Sequence, residues 1–177
     1  MNFSALSDRS WVGRLARLPL RAIPPEMKLP ILQGRLRGKK WIAGSSVHGC
    51  WLGSYEYNKR QVFEQVVASG SVVFDIGANV GYYTLLAAVL VEPIGKVVAF
   101  DPVPDNLRYL KEHLRLSYIA NVSVIEGAVS DYSGEMFFAE GGNRSEGHIA
   151  ARPTIFLATH SRVLHQQCCD ALSHARP

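Results

Sequence analysis

The chain of 177 residues is long enough for one domain with one core. Its balance of 47% hydrophobic and 19% charged residues excludes a disordered chain, and no apolar run reaches the roughly 18 to 20 residues needed to span a bilayer. The net charge of +4 is unevenly placed: residues 1–40 hold nine Lys and Arg against two acids, a charge of +7, and residues 41–177 hold ten against thirteen, a charge of −3. The basicity therefore belongs to a leader. The domain behind it is slightly acidic and lacks basic residues interleaved with aromatic platforms, which argues against a nucleic-acid partner.

In chain order, residues 1–40 read as this basic leader, with arginines at 9, 14, 17 and 21 and no apolar segment of the signal-peptide kind, so the cytoplasm is the expected compartment. Trp11, Leu15 and Leu18 share a helical face flanked by Arg14, Arg17 and Arg21. Such a segment suits a weak contact with an anionic membrane surface, or, more plainly, a short helix packed on its own domain and ended by Pro19 or Pro24-Pro25. Residues 41–70 read as a cap followed by a lead-in helix over 56–68, with apolar positions at 62, 63, 66 and 67. Residues 71–150 read as the main α/β domain, and residues 151–177 as an irregular tail.

Within the main domain the run 72–77, VVFDIG, is β-branched and apolar, as for a strand buried on both faces of a parallel sheet. A glycine-bearing loop leads to a helix over Tyr82–Val91, broken at Gly95. The next strand is Lys96–Phe100, ending at Asp101. After Pro102 and Pro104, Asp105 or Asn106 is placed to cap a helix with Leu107, Tyr109, Leu110 and Leu114 on its face. On the same helix His113, beside Lys111 and Arg115, reads as solvated. A third strand runs from Asn121, residues 131–134 form a turn, and 135–139 form a further strand. Strands alternating with helices predict a parallel sheet whose C-terminal strand ends share one ligand-binding edge.

Three segments converge on that edge. In Asp75-Ile-Gly77-Ala78-Asn79-Val-Gly81 the glycines permit a sharp turn and close approach of a ligand, and Asp75 is placed to accept from a cationic amine. Asp101, twenty residues past Gly81, stands where a carboxylate binds a ribose diol. Glu126-Gly127-Ala128 ends the third strand, beside the place for an adenine ring. In order and at this spacing they point to an adenosine-bearing cofactor. The loop lacks the second glycine of the dinucleotide motif and carries an acid two residues before its first, which would repel a pyrophosphate but suit an amino-acid amine. S-adenosylmethionine is therefore favoured over NAD(P).

The segments VVFDIGANVGYYTLLAA, VVAFDPVPDNLRYLKEH and NVSVIEGAVSDYSGEMFF resemble the opening motifs of the FkbM family of methyltransferases, and WLGSYE resembles that family's lead-in. The resemblance implies a class I, Rossmann-like methyltransferase fold, S-adenosylmethionine as donor, and O-methylation of a hydroxyl on a sugar, glycan or natural product, hence a small-molecule or glycan acceptor. By position it makes Asp75, Gly77, Ala78, Asn79 and Gly81 the methionine-side loop, Asp101 the ribose ligand, Asn106 the residue shaping the turn, and Glu126, Gly127, Ala128 and Val129 the adenine border; Tyr82 and Tyr83, next to the loop, are placed to touch cofactor or acceptor, with a core role for one of them an equal reading. The family's later acidic strand motif has no counterpart, so the resemblance covers only the N-terminal half of that fold. This leaves two alternatives to an active enzyme: a truncated, non-catalytic remnant, or an NAD(P)-binding oxidoreductase module.

The catalytic base is not located. His148 and Glu146 are candidates, although residues of a glycine-rich surface loop are the plainer reading. Cys50, Cys168 and Cys169, with His160 and His165, fit no zinc-ligand spacing, and no metal is expected. Nothing in the sequence sets an oligomeric state.

Overall fold

The computed structural model describes Leu20, residues 22–129, and the strand backbones at 134–140, 147–150 and 158–164. The first elements are two short strands, β1 (Lys28–Pro30) and β2 (Lys40–Ile42), paired antiparallel with Leu29 opposite Trp41. The expected break between leader and cap at residue 40 thus falls inside a hairpin. A shift in composition marks charge, not pairing, and Trp41, Ile42, Ile31 and Leu36 of this hairpin region are core residues. Trp11 and its neighbours lie outside the described residues.

A 3-10 turn at Ala43–Ser45 and the short helix α1 (Gly49–Leu52) lead to α2 (Tyr57–Val66), which stops before the expected residue 68 because Val67 is extended. Its apolar period does not form one buried face. Val62 and Val66 are 60% and 71% exposed, whereas Phe63 and Val67 pack on the core and Arg60 is buried. Arg60 is held inside by donating to the Gly53 carbonyl at 2.6 Å and by an ion pair with Glu64 at 3.2 Å. A paired guanidinium is tolerated in the interior where a lone one is not.

The central unit is a parallel sheet in the order β3-β4-β5, formed by Val72–Ile76, Lys96–Asp101 and Val122–Glu126. The middle strand β4 is buried from Val97 to Asp101. By contrast β3 pairs only with β4 among the described strands: Val72 and Ile76 are 36% and 60% exposed, Val73, Phe74 and Asp75 between them are only half-buried, and the expectation of burial on both faces fails along the strand. The crossovers are α3 (Tyr82–Leu90), whose apolar residues supply much of the core, and α4 (Pro104–Leu116). The N-cap of α4 is Val103 with no side-chain cap bond; Pro104 opens the helix, so Asp105 and Asn106 lie in its first turn and do not cap it.

A second sheet is built from β6 (Ala128–Val129), β7 (Gly134–Glu140), β8 (Gly147–Ala150) and β9 (Ala158–Leu164), in the order β6-β9-β7-β8. The strand expected at 135–139 lies within β7. The tail expected to be irregular contains β9, which pairs with β7 on one side and β6 on the other. Backbone pairing of this kind leaves little periodicity in a seven-residue segment. His148 falls in β8 opposite Ala139, and His160 in β9 opposite Phe137. Residues 131–133 of the expected turn, Glu146, His165, Cys168 and Cys169 lie outside the described residues. No helix among the described residues is long and apolar enough to cross a membrane.

Candidate cofactor site

At the C-terminal ends of β3 and β4 the chain turns back on itself twice. The N–H groups of Gly77 and Ala78 both donate to the Phe100 carbonyl at 2.9 Å, which binds the glycine loop to the end of β4. Gly77 has φ +78°, and a Cβ there would meet nothing within 4 Å. Gly81, at φ +91°, is the N-cap of α3 and lies against Leu110. Between them Asn79 is left-handed at φ 51°, and its side-chain oxygen accepts from Val80 N–H at 2.7 Å. Asparagine tolerates this conformation through such local bonds.

Asp101 is the knot of the edge. One carboxylate oxygen accepts from Asn79 N–H at 2.7 Å; the other accepts from Val103 N–H at 2.9 Å and from the Asn106 side-chain amide at 3.2 Å. The Asp101 carbonyl accepts from Gly127 N–H at 3.0 Å. One residue thereby joins the glycine loop, the β4–α4 loop and the end of β5. The carboxylate is 4% exposed, and burial raises its pKa against the lowering effect of its three donors. Of the roughly four acceptor positions of a carboxylate, about one is left for a ligand.

Asp75 differs. It accepts from the buried Thr84 hydroxyl and from no other described group. Burial raises its pKa, the Thr84 bond opposes this, and the Asp101 charge adds to it. Two desolvated carboxylates beside an open backbone turn make an acceptor-rich site that favours a cation.

A family model, that of the TRM5/TYW2 methyltransferase domain, matches residues 50–140. The chain belongs to that family. Among curated proteins it is 32% identical over 82 residues to an uncharacterised protein of Methanocaldococcus jannaschii, covering 44% of this chain and 30% of that one. It is 39% identical over 59 residues to protein-L-isoaspartate O-methyltransferase of Aeropyrum pernix, covering 33% and 23%. A solved structure of an S-adenosylmethionine-dependent methyltransferase from Aquifex aeolicus matches with a TM-score of 0.36 and 26% identity over 39% of this chain and 37% of that one. The chain thus spans less than a third of the length of these curated relatives.

As a member of the TRM5/TYW2 methyltransferase domain family, the chain has the class I, Rossmann-like fold expected from its motifs, and S-adenosylmethionine is the family's methyl donor. The residues present fit that group. The half-buried, desolvated Asp75 carboxylate suits the amine of its methionine part, and the open space at Gly77 leaves room for close approach. The TRM5/TYW2 match does not extend to the FkbM family in particular.

Most of the expected site residues come together. Asp75, Gly77, Ala78, Asn79, Asp101 and Gly127 are linked through the bonds above, and Asn106 adds its amide. Glu126, opposite Asp101 in the register, is exposed and pairs with Lys111; Ala128 has already passed into β6. Tyr82 is 5% exposed and packs edge-on against Trp41 and Tyr55, in the core behind the loop.

Two residues escaped sequence reasoning. Thr84 had a visible signal, a hydroxyl inside the otherwise apolar helix YYTLLAAVL. His113 was expected to be solvated, yet it is fully buried and stacks on Trp41 with ring centroids 3.8 Å apart. Its charged neighbours in sequence face outward, whereas three residues after Leu110 it returns to the buried face of α4.

Proposed function

We propose that this chain forms the cofactor-binding part of an S-adenosylmethionine-dependent methyltransferase. The observation that carries the reading is Asp75: a half-buried carboxylate with a single described protein donor, beside a glycine turn with open space above it. In this reading Asp75 holds the donor's amine, and the backbone of Gly77 to Gly81 lies along its methionine part. Asp101, nearly saturated, stiffens the loop and offers its remaining acceptor position to the ribose. Gly127 and Ala128 border the adenine. The bound donor supplies an electrophilic methyl group on a sulfonium. The chain's contribution is positioning, which accounts for much of the acceleration in a reaction of this type.

For the acceptor we propose a hydroxyl on a sugar, glycan or natural product, supported by the motif resemblance of residues 71–139. The test is calorimetric titration of the full chain with S-adenosylmethionine, wild type against Asp75→Asn. The expected result is one equivalent bound, with affinity at least about tenfold weaker in the variant, given the strength of bonds to charged groups. A folded wild type that does not bind, or a variant that binds equally well, refutes the reading. Transfer of labelled methyl groups to hydroxylated sugars, to RNA and to protein then decides the acceptor class.

A further inference from the structure

His113 lies outside every role assigned so far, and its surroundings are unusually well defined. The imidazole Nδ1 is 2.8 Å from the Val80 carbonyl oxygen, and Nε2 is 3.1 Å from the Ile42 N–H. A carbonyl only accepts and a backbone N–H only donates, so the partners require Nδ1 to carry the proton and Nε2 to be bare. The ring is thus a neutral bridge. One end holds Val80, which lies between Asn79 and Gly81 in the glycine loop. The other holds β2, whose Trp41 stacks on the same ring at an interplanar angle of 15°. The hairpin is pinned to the far end of α4 as well: Lys40 N–H donates to the Ser117 hydroxyl at 3.1 Å, and Lys28 pairs with Glu112 at 3.0 Å. This hairpin lies before residue 50, outside the family match.

We infer that His113 is a positioning residue for the cofactor loop, holding the Val80 carbonyl through Nδ1, while the Ile42 bond to Nε2 fixes the tautomer that donates. The inference rests on the cofactor reading above for its consequence in binding, but the clamp itself can be observed without ligand. Val80 is the one residue of Gly77–Gly81 whose carbonyl is taken by a side chain from another element, and the loop's other ties run to Phe100 and Asp101 on β4. The hairpin and β4 therefore grip the loop from two sides.

The two bonds can be separated by substitution. An asparagine amide nitrogen occupies the place of Nδ1, so His113→Asn keeps the bond to Val80 and loses that to Ile42. A glutamine oxygen reaches the place of Nε2, so His113→Gln keeps Ile42 and loses Val80. Amide hydrogen exchange of residues 79–85 in the ligand-free chain, and calorimetry with S-adenosylmethionine, are measured on both. Exchange at least about tenfold faster and affinity at least about tenfold weaker are expected in His113→Gln. His113→Asn is expected to stay within about threefold of wild type in both, although both variants lose stability, because each keeps only one of two comparable bonds. Equal effects of the two variants, or a loop unchanged in His113→Gln, overturn the inference. Should wild type fail to bind S-adenosylmethionine while loop exchange still splits in this way, the cofactor reading fails and the clamp stands. A nitrogen-15 spectrum of the wild-type imidazole serves if a variant does not fold: protonated Nδ1 and bare Nε2 at neutral pH support the clamp, and the opposite tautomer or a charged ring refutes it.

Discussion

Acidification should unlock His113, and the size of the effect follows from its burial. Removal from water pushes the imidazole down to about 4 from an ordinary value of 6.5; the Val80 bond and the Glu112 charge oppose this without cancelling it. The unfolded chain therefore takes up a proton at a pH where the folded chain does not. Stability from this residue is fully present above about pH 6.5 and is lost as pH falls toward 4. Between about pH 7 and about pH 5 the loss amounts to about 2 kcal/mol by linkage. The assay is urea unfolding followed by tryptophan fluorescence, at several pH values, for wild type and His113→Asn. Asp75 and Asp101 act with the opposite sign, since their raised pKa values make folding easier as pH falls, but they are common to both proteins and drop out of the difference. Wild type should lose about 2 kcal/mol more than the variant over that interval. A difference near zero would mean that the ring is hydrated or already charged, and the neutral bridge would be wrong.

Four further substitutions bear on the site. Asp101→Ala leaves two backbone N–H groups and the Asn106 amide without their acceptor, so a loss of about 2–4 kcal/mol is expected in urea unfolding; a loss below about 1 kcal/mol would show that these bonds are easily replaced. Gly77→Ala and Gly81→Ala should separate binding from stability. At Gly77 the added methyl meets open space, so stability falls only by the left-handed strain of about 1–2 kcal/mol while S-adenosylmethionine affinity falls, whereas at Gly81 a Cβ lies 3.0 Å from Leu110 Cγ and the thermal midpoint should drop further. Asp75→Asn should raise the stability of the ligand-free chain, because a desolvated charge beside Asp101 is removed, even as it weakens binding; a destabilised variant would show that the Thr84 bond to the carboxylate outweighs the repulsion.

The elements that position the site were legible because each carries a local signal. The apolar run of β3, the apolar helix α3 and the spacing from Gly81 to Asp101 depend on periodicity and turn chemistry, which neighbouring residues settle among themselves. The same holds for the glycine loop, where Gly77 and Gly81 occupy conformations that other residues resist. Signals failed where a partner far along the chain decides. Val62 and Val66 share the helical period of core residues, yet they face outward because Arg60, bonded to Gly53, takes the inside of α2. The division at residue 40 followed charge and cut a hairpin whose pairing composition does not encode.

The site residues divide in the same way. Sequence alone determined the class of ligand: an acid two residues before the first glycine, with no glycine at the pyrophosphate position, is a chemical statement that needs no coordinates. Tertiary structure decided what each acid is free to do. Asp101 spends its carboxylate mainly on three protein donors, while Asp75 keeps its own largely uncommitted, a difference set by which N–H groups folding brings within 3.2 Å. It also decided that His113, near Lys111 and Arg115 in sequence, is a neutral buried bridge, because the pitch of α4 turns it toward Trp41 and Val80 while those two charged residues turn to water.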